Sequence, residues 1–382
     1  MKKIWRALCL LFIIDMLIIG CATDNTPIPN PISNKINPNN IKFLWQNSDL
    51  SDSYPGSFIP IMDQENAIFT VDMDGKFEKM DSTDGEIIEQ FNINRKLSSG
   101  VAINSDSIFA TTMDDYLISV NKVSHKIIWE TKIPTLSIEA PQVGMDVVVV
   151  RTNDASLLGY SATNGTLLWV YQKPIPTLTL RATNTFQITS SGDVVVYGRP
   201  GGALSILNMQ TGVSIWETIF ASPVGSTDLD KLTDINMRPV INVDKTICLG
   251  TFNGRIGCID AITSNKIWSN TFSTSTQIIN NDVYLYAISQ DGVLYAFDKK
   301  NGNQIWKNDT LQYRTLSGLS FLENDILLVD DDGFITTFNA QDGILISRTK
   351  SDLKGGISYP IVNNYKIIMQ SANGVIAAIT HN

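Results

Sequence analysis

The chain has 382 residues, which is too long for one ordinary compact core unless the architecture is a barrel, a propeller or a solenoid. A formal net charge of −9 and a pI near 4.8 argue against a nucleic-acid partner, which needs a basic protein face. The only histidines are His125 and His381, so histidine-based catalysis and a histidine-rich metal site are nearly excluded.

The amino terminus has the pattern of a targeting segment. Lys2, Lys3 and Arg6 provide a positive start, and residues 7–19 form an apolar run. This run is too short for a comfortable transmembrane helix and has the size expected of a signal peptide. The sequence therefore predicts a signal peptide over residues 1–20.

The end of this segment, "LIIGC" at 17–21, resembles a bacterial lipobox. The resemblance implies cleavage before Cys21 and lipidation of that cysteine, and Ala22 after it implies sorting to the outer membrane. The alternative is an ordinary signal peptide with an incidental cysteine. Residues 21–39 then form the lipidated cysteine and an Asn/Pro-rich stretch, which we predict to be a flexible tether.

Internal repetition begins beyond the tether, and residues 282–306 show the repeated unit most clearly. An alternating strand ends at a tight hairpin signal, Asp291-Gly292, and a second strand ends at Asp298. Another turn follows, and a last strand carries Trp306.

Three positions of this unit recur along the chain, separated by six and then eight residues. The turn positions are Gly75, Asp115, Ala155, Gly202, Gly254, Gly292, Gly333 and Gly374. The short polar positions are Asp81, Asn121, Ser161, Asn208, Asp260, Asp298, Asn339 and Thr380. The tryptophan positions are Glu89, Trp129, Trp169, Trp216, Trp268, Trp306 and Ser347. We interpret the repeated tryptophans as packing residues between neighbouring sheets.

The eighth copy is split between the two ends of the chain. Residues 371–382 supply a turn and a third strand, whereas residues 40–47 are a last strand with Trp45 and no earlier strands. Pairing these two strands would complete a blade and remove two exposed sheet edges. Residues 40–382 are therefore predicted to be all-β, an eight-bladed β-propeller of four-stranded antiparallel blades, closed by the N- and C-terminal strands.

Two cysteines remain after removal of Cys9 and lipidation of Cys21. Cys248 and Cys258 flank a turn at 253–254, and an oxidising periplasm would allow them to pair. A two-residue turn, however, would place Leu249 opposite Cys258, with the two thiols on opposite faces of the sheet. This geometry favours two free thiols over a disulfide.

Two intervals between tryptophan positions, Trp169–Trp216 and Trp216–Trp268, are longer than the others. Their excess falls in the connectors 170–185 and 217–239, which join consecutive blades and should be neighbours on one face of the propeller.

The first connector offers Leu178, Leu180 and Arg181, and the second offers three aspartates, Asp228, Asp230 and Asp234. Leucines rimmed by charges are typical of a protein-docking patch. The alternative is that the two loops pack on each other, with Arg181 paired to an aspartate.

Eight pyrroloquinoline-quinone-like repeats behind a lipobox, with "PTLTLRA" at 176–182 and "GSTDLDKLTDI" at 225–235, resemble the BamB family. Members are lipoprotein subunits of the outer-membrane β-barrel assembly (BAM) complex. The resemblance implies that these two loops bind a periplasmic POTRA domain of BamA through Leu178, Leu180, Arg181 and Asp234. Asn236 stands where the family has a second acidic residue, so its ionic contribution is lost while a hydrogen bond stays available.

The resemblance also implies a non-enzymatic scaffold, lipid-anchored on the periplasmic side of the outer membrane, that assists the assembly of unfolded outer-membrane protein clients. It implies no catalytic residue, no metal ligand and no cofactor. Two alternatives are a periplasmic propeller for another envelope partner, such as a glycan, and a quinoprotein dehydrogenase, which shares the repeat. Many such dehydrogenases carry adjacent cysteines near the cofactor, and this sequence has none.

Overall fold

Eight four-stranded antiparallel sheets, blades 1 to 8, follow one another around a ring in this computed structural model. The structure describes residues 27–33, 36–54, 56–363 and 365–382, so the predicted signal peptide and Cys21 lie outside it. The predicted eight-bladed propeller is confirmed. Within the described residues, no helix has the length and hydropathy needed to cross a membrane.

The first four blades each take their strands in chain order. Blade 1 contains β2 (Ile61–Met62), β3 (Ala67–Val71), β4 (Lys76–Asp81) and β5 (Ile87–Asn92). Blade 2 contains β6 (Leu97–Ile103), β7 (Ser107–Thr112), β8 (Tyr116–Asn121) and β9 (Ile127–Lys132). Blade 3 contains β10 (Gln142–Gly144), β11 (Val147–Arg151), β12 (Leu157–Ser161) and β13 (Leu167–Tyr171). Blade 4 contains β14 (Phe186–Ile188), β15 (Val194–Arg199), β16 (Ala203–Asn208) and β17 (Ser214–Ile219).

The next three blades repeat this order, and the eighth combines both ends of the chain. Blade 5 contains β18 (Val240–Ile241), β19 (Thr246–Gly250), β20 (Gly254–Asp260) and β21 (Lys266–Phe272). Blade 6 contains β22 (Ile279–Asn280), β23 (Tyr284–Ile288), β24 (Leu294–Asp298) and β25 (Gln304–Asn308). Blade 7 contains β26 (Leu316–Leu322), β27 (Asp325–Asp330), β28 (Phe334–Asn339) and β29 (Leu345–Lys350). Blade 8 contains β30 (Ile361–Asn363), β31 (Lys366–Gln370), β32 (Ile376–His381) and β1 (Ile41–Asn47), which a 3-10 helix, Pro38–Asn40, precedes.

The ring closes in blade 8, where β1 pairs antiparallel with β32 from Ile41 opposite His381 to Asn47 opposite Ile376. This pairing is the ring closure that the split eighth repeat predicts. It joins the first and last strands of the chain in one sheet, so each covers the edge of the other.

The hydrophobic core lies between neighbouring blades. Middle strands such as β7 and β11 are buried along their whole length, because a sheet covers each of their faces. The fourth strands, such as β5 and β17, alternate with exposed positions because they form the outer wall of the ring.

The repeat positions have distinct structural roles. Gly75 and six of its seven counterparts take the left-handed conformation that closes the hairpin between the second and third strands, with φ +79° at Gly75, whereas in blade 5 Asn253 takes it instead of Gly254. Short polar residues such as Asn208 accept backbone N–H bonds from the turn that follows, here from Gln210 and Thr211.

Each of six tryptophans locks its blade to the next one through its indole N–H, which donates to a backbone carbonyl of that blade. The pairs are Trp45–Ser82, Trp129–Ala162, Trp169–Met209, Trp216–Ala261, Trp268–Lys299 and Trp306–Ala340. Five of the six rings also lie over a turn glycine of the next blade, as Trp268 does over Gly302. The prediction that these tryptophans pack between sheets is confirmed.

Two junctions between blades lack a tryptophan. Between blades 1 and 2, Glu89 lies 2.8 Å from Nε2 of His125, which occupies the position of the turn glycine. Between blades 7 and 8, Ser347 contacts Thr337 of its own blade instead. Blade 8 has no hairpin between its last two strands, because β1 comes from the other end of the chain, so no turn is present to receive a ring.

Cys248 and Cys258 form a disulfide, so the expectation of two free thiols is wrong. The two residues are directly opposite each other in the pairing of β19 with β20. The turn between these strands has three residues, Phe252, Asn253 and Gly254, instead of two, because the N–H of Thr251 bonds to the carbonyl of Arg255. This one-residue difference moves both cysteines to the same face of the sheet.

Candidate partner-docking site

Two long connectors lie side by side on one face of the ring. Connector A, residues 172–185, joins blade 3 to blade 4, and connector B, residues 220–239, joins blade 4 to blade 5. A direct hydrogen bond between Leu180 and Asp234 joins them. The two enlarged loops are therefore neighbours, as the repeat spacing predicts.

Asp234 holds the two connectors together from inside. Its Oδ2 accepts the backbone N–H of Leu180 at 2.7 Å, and its Oδ1 accepts that of Gly201 at 2.9 Å. Asp234 is only 2% exposed, and its own carbonyl accepts the N–H of Phe252. Burial raises the pKa of Asp234 above its ordinary value, and the two amide donors oppose this shift. Asp234 thus positions the connectors, and its carboxylate does not face solvent.

A second buried carboxylate supports the end of connector A. Glu139 accepts the N–H groups of Thr185 and Phe186, and its Oε2 accepts the Thr185 hydroxyl at 2.8 Å. Arg151 lies 3.9 Å from the same oxygen and donates to the carbonyl of Ala182. Burial raises the pKa of Glu139, while the Arg151 charge acts in the opposite direction. This pair was not predicted from the sequence. The sequence feature that marks it is Arg151, a charged residue at the end of the otherwise apolar strand β11.

The tip of connector B is a compact turn held by Asp230. Its Oδ2 accepts the N–H groups of Thr227 and Ser226, and its own N–H donates to the Thr227 hydroxyl. These backbone hydrogen bonds hold the pKa of Asp230 below its ordinary value. Because the turn is fixed internally, its apolar side chains point outward: Leu229 is 63% exposed and Val224 is 78% exposed.

Connector A presents an exposed apolar residue and an exposed cation of its own. Leu178 is 43% exposed, and the Arg181 guanidinium stacks over the Tyr54 ring with Cζ 4.9 Å from its centroid. Among the described residues, no carboxylate forms an ion pair with Arg181. The alternative of an internal pair with an aspartate is therefore not what this structure shows.

The remaining two predicted site residues lie inward. Leu180 is half-buried and donates its N–H to Asp234. Asn236 faces a cavity of about 250 Å³ near the ring axis, which Asn184, Gln277, Asp331 and Tyr359 also line. The structure thus brings Leu178 and Arg181 to the surface, places Leu180 and Asp234 at the contact between the connectors, and places Asn236 at the axial cavity.

A sequence profile described as outer membrane protein assembly factor BamB matches residues 73–308 and 290–382. The chain belongs to the BamB family. It is 33% identical over 315 residues to outer membrane protein assembly factor BamB of Nitrosomonas eutropha, an alignment that covers 82% of this chain and 75% of that one. The predicted BamB resemblance is confirmed.

Two solved structures show how widely the fold is shared. BamB from Moraxella catarrhalis superimposes with a TM-score of 0.75 at 22% identity, covering 92% of this chain and all of that one. A europium-containing methanol dehydrogenase superimposes with a TM-score of 0.69 at 11% identity, over 90% of this chain and 94% of that one. The ring of blades is therefore common to the BamB family and to an enzyme class, and only the site can separate their functions.

Proposed function

We propose that this chain is a non-enzymatic scaffold of the BAM complex that binds a POTRA domain of BamA through connectors A and B. Membership of the BamB family supports this role, since its members carry the name of outer-membrane protein assembly factors. The role includes assisting the assembly and insertion of unfolded outer-membrane protein clients.

The same proposal places the protein on the periplasmic side of the outer membrane, anchored by lipid at Cys21. The lipobox at 17–21 and the positive, apolar start of the chain support this location. The disulfide between Cys248 and Cys258 also suits an oxidising compartment.

The observation that carries the proposal is the contrast between the inside and the outside of the two connectors. Buried Asp234 and Glu139 fix their backbones, while Leu178 and Arg181 of connector A and Leu229 and Val224 of connector B stay exposed. A rigid apolar surface with an unpaired cation suits a preformed protein interface, because little conformational entropy is lost on binding.

Reversal of the Arg181 charge tests the site. We expect Arg181→Glu to weaken capture of a BamA periplasmic fragment at least tenfold, about 1.4 kcal/mol, as for an arginine at the centre of an interface. Binding is measured by surface plasmon resonance with the purified mature chain. Lys300→Glu, at an exposed cation in a turn of blade 6, is the matched control and should bind as the unmodified chain does.

Leu178→Asp provides an independent variant, since it introduces a charge into the apolar part of the surface. If Arg181→Glu, Leu178→Asp and Lys300→Glu all bind with the affinity of the unmodified chain and keep its circular dichroism spectrum, connectors A and B are not part of the BamA interface. Co-purification of the unmodified chain with another envelope component and without BamA would favour the alternative of a different partner.

A quinoprotein dehydrogenase is the enzymatic alternative that the shared fold raises. Such a site needs acidic ligands for a metal ion beside the quinone. Within the described residues, no group of three or more histidine, cysteine or acidic side chains could hold a metal. The side chains that line the axial cavity are mainly neutral amides and hydroxyls, so the residues present do not fit this group.

A further inference from the structure

The segment before β1 is added to the outer edge of blade 7. Ile36 forms an antiparallel bridge with Arg348 of β29: the Arg348 N–H donates to the Ile36 carbonyl at 2.7 Å, and the Ile36 N–H donates back at 3.5 Å. The Asn37 side chain donates to the carbonyl of Ile346, and the Thr349 hydroxyl donates to that of Pro38. This short extension covers part of the outer edge of a strand that has no tryptophan lock.

The same segment continues over the junction of blades 6 and 7. Ile32 packs against the apolar cluster that contains Tyr286 and Leu311. The Asn30 side chain donates to the carbonyl of Asp309 at 2.8 Å, and the Asn30 carbonyl accepts from the Arg314 guanidinium at 3.1 Å. We call residues 27–33 and 36–40 the strap, because an apolar anchor and a strand-like pairing both fix it to the ring.

The strap leads back to the face that carries the connectors. Pro27 lies in a groove with Ser275 and Thr276, which join blade 5 to blade 6. These two residues also line the axial cavity, together with Asn184 of connector A and Asn236 of connector B. Pro27, the first described residue of the strap, therefore lies on the same face of the ring as the candidate docking site.

Docking of the strap shortens the distance that the anchored terminus can span. Pro27 lies six positions after Cys21, and a fully extended chain over six residue steps spans at most about 20 Å. A tether that is free up to the start of β1 would cover the nineteen residue steps from Cys21 to Asn40 and would span at most about 65 Å.

We infer that the strap acts as a reach limiter, which holds the connector face close to the lipid surface when Cys21 is anchored. The inference rests on the proposed lipid anchor and goes beyond it by naming the face of the ring that is turned to the membrane. A partner bound by connectors A and B is then held close to the lipid surface.

Energy transfer from the connector face to the membrane tests this arrangement. The lipidated chain, labelled with a donor at Asp228→Cys on connector B, is placed in vesicles that contain acceptor-labelled lipid headgroups. We expect Ile32→Asp and Ile36→Pro to lower the transfer efficiency at least twofold. The first removes the apolar anchor, and the second removes the N–H that pairs with Arg348. Ile28→Asp is the matched control, because Ile28 is 84% exposed, and it should leave the efficiency unchanged.

Amide hydrogen exchange gives a second readout without any membrane. In the mature chain with Cys21→Ser, the Arg348 amide should be protected, and Ile32→Asp and Ile36→Pro should speed its exchange at least tenfold. Unprotected Arg348 in the otherwise unmodified chain, or equal transfer efficiency in all variants, would overturn the inference. A protected Arg348 in a chain whose membrane association does not depend on Cys21 would instead overturn the proposed anchor, and the reach limit with it.

Discussion

Asp234 has the sequence pattern of an interface residue and the geometry of an internal support. Both carboxylate oxygens accept backbone N–H groups, one from connector A and one from the hairpin of blade 4. The spacing between repeats could predict that the two connectors meet, because it shows that two consecutive connectors on one face of the ring are enlarged. It could not predict which way a loop side chain points, since loops have no fixed periodicity to assign faces.

The raised pKa of Asp234 makes a prediction for stability against pH. Because burial raises this pKa, the folded chain binds a proton more readily than the unfolded chain does at this carboxyl. The resulting contribution to stability is present below the ordinary pKa and is lost as pH rises through the raised value. We expect the free energy of unfolding to fall more steeply with pH, from 4 upward, in the unmodified chain than in Asp234→Asn.

Urea unfolding of both proteins at pH 4, 5, 6 and 7 measures this difference. Asp228→Asn, at an exposed position of the same connector, is the control for a change of one surface charge. A constant gap between the unmodified chain and Asp234→Asn across these pH values would contradict the assignment of the titration to Asp234.

The disulfide shows that a turn length assigned from sequence can be wrong by one residue, which changes the register of the two strands. The hairpin signal at Asn253-Gly254 correctly locates a turn, but the turn type decides the register, and a three-residue turn shifts the pairing. Asn253 takes the left-handed conformation there, with φ +45°. Because Asn adopts this conformation more readily than most other non-glycine residues, the sequence alone does not say which of the two residues closes the turn.

The lock between blades 5 and 6 can be tested by adding a single methyl group. A Cβ at Gly302 would lie 2.3 Å from Cε3 of Trp268, so Gly302→Ala must displace the ring. Gly192 has nearly the same backbone, with φ +75° against +77°, but the nearest atom to its Cβ is 3.7 Å away. We expect Gly302→Ala to lower the free energy of unfolding by about 1–3 kcal/mol more than Gly192→Ala.

Guanidinium unfolding followed by tryptophan fluorescence measures both variants. Since both alanines carry the same left-handed backbone penalty, the difference isolates the contact with Trp268. Equal losses in the two variants would mean that the ring over the turn does not contribute to stability.

At the scale of the whole molecule, the closed ring was predictable because several features of the sequence indicate it independently. Tryptophan, turn and short polar positions recur together, and the two incomplete repeats complement each other. The strap was not predictable, because Asn/Pro-rich composition is typical of free linkers. Its three isoleucines, Ile28, Ile32 and Ile36, lie among prolines that exclude a regular helix, and the sequence does not show that Ile32 is packed on the ring while Ile28 is exposed.

Closure of the ring predicts different results for two shortened chains. A chain that starts at Ser48 lacks β1 and Trp45, so the edge of β32 is unpaired and the lock onto Ser82 is lost. We expect it to self-associate, because an exposed strand edge pairs with other chains. A chain that starts at Ile41 lacks the strap and the residues before it but keeps β1, and it should remain monomeric.

Light scattering coupled to size exclusion distinguishes the two results. A monomeric chain from Ser48, with the unfolding midpoint of the longer chain, would contradict the role of β1 in closing the ring.

The two junctions without a tryptophan have a mechanical consequence. They separate blades 2–7, a run of six sheets with five consecutive indole locks, from the pair formed by blades 8 and 1, which Trp45 joins. A closed ring has no free end, so we expect it to open first at the junctions that lack these locks. Once the strap that ties β1 to blade 7 is released, blades 8 and 1 should separate together under load or mild denaturant, leaving blades 2–7 as a six-sheet arc that still carries both docking connectors.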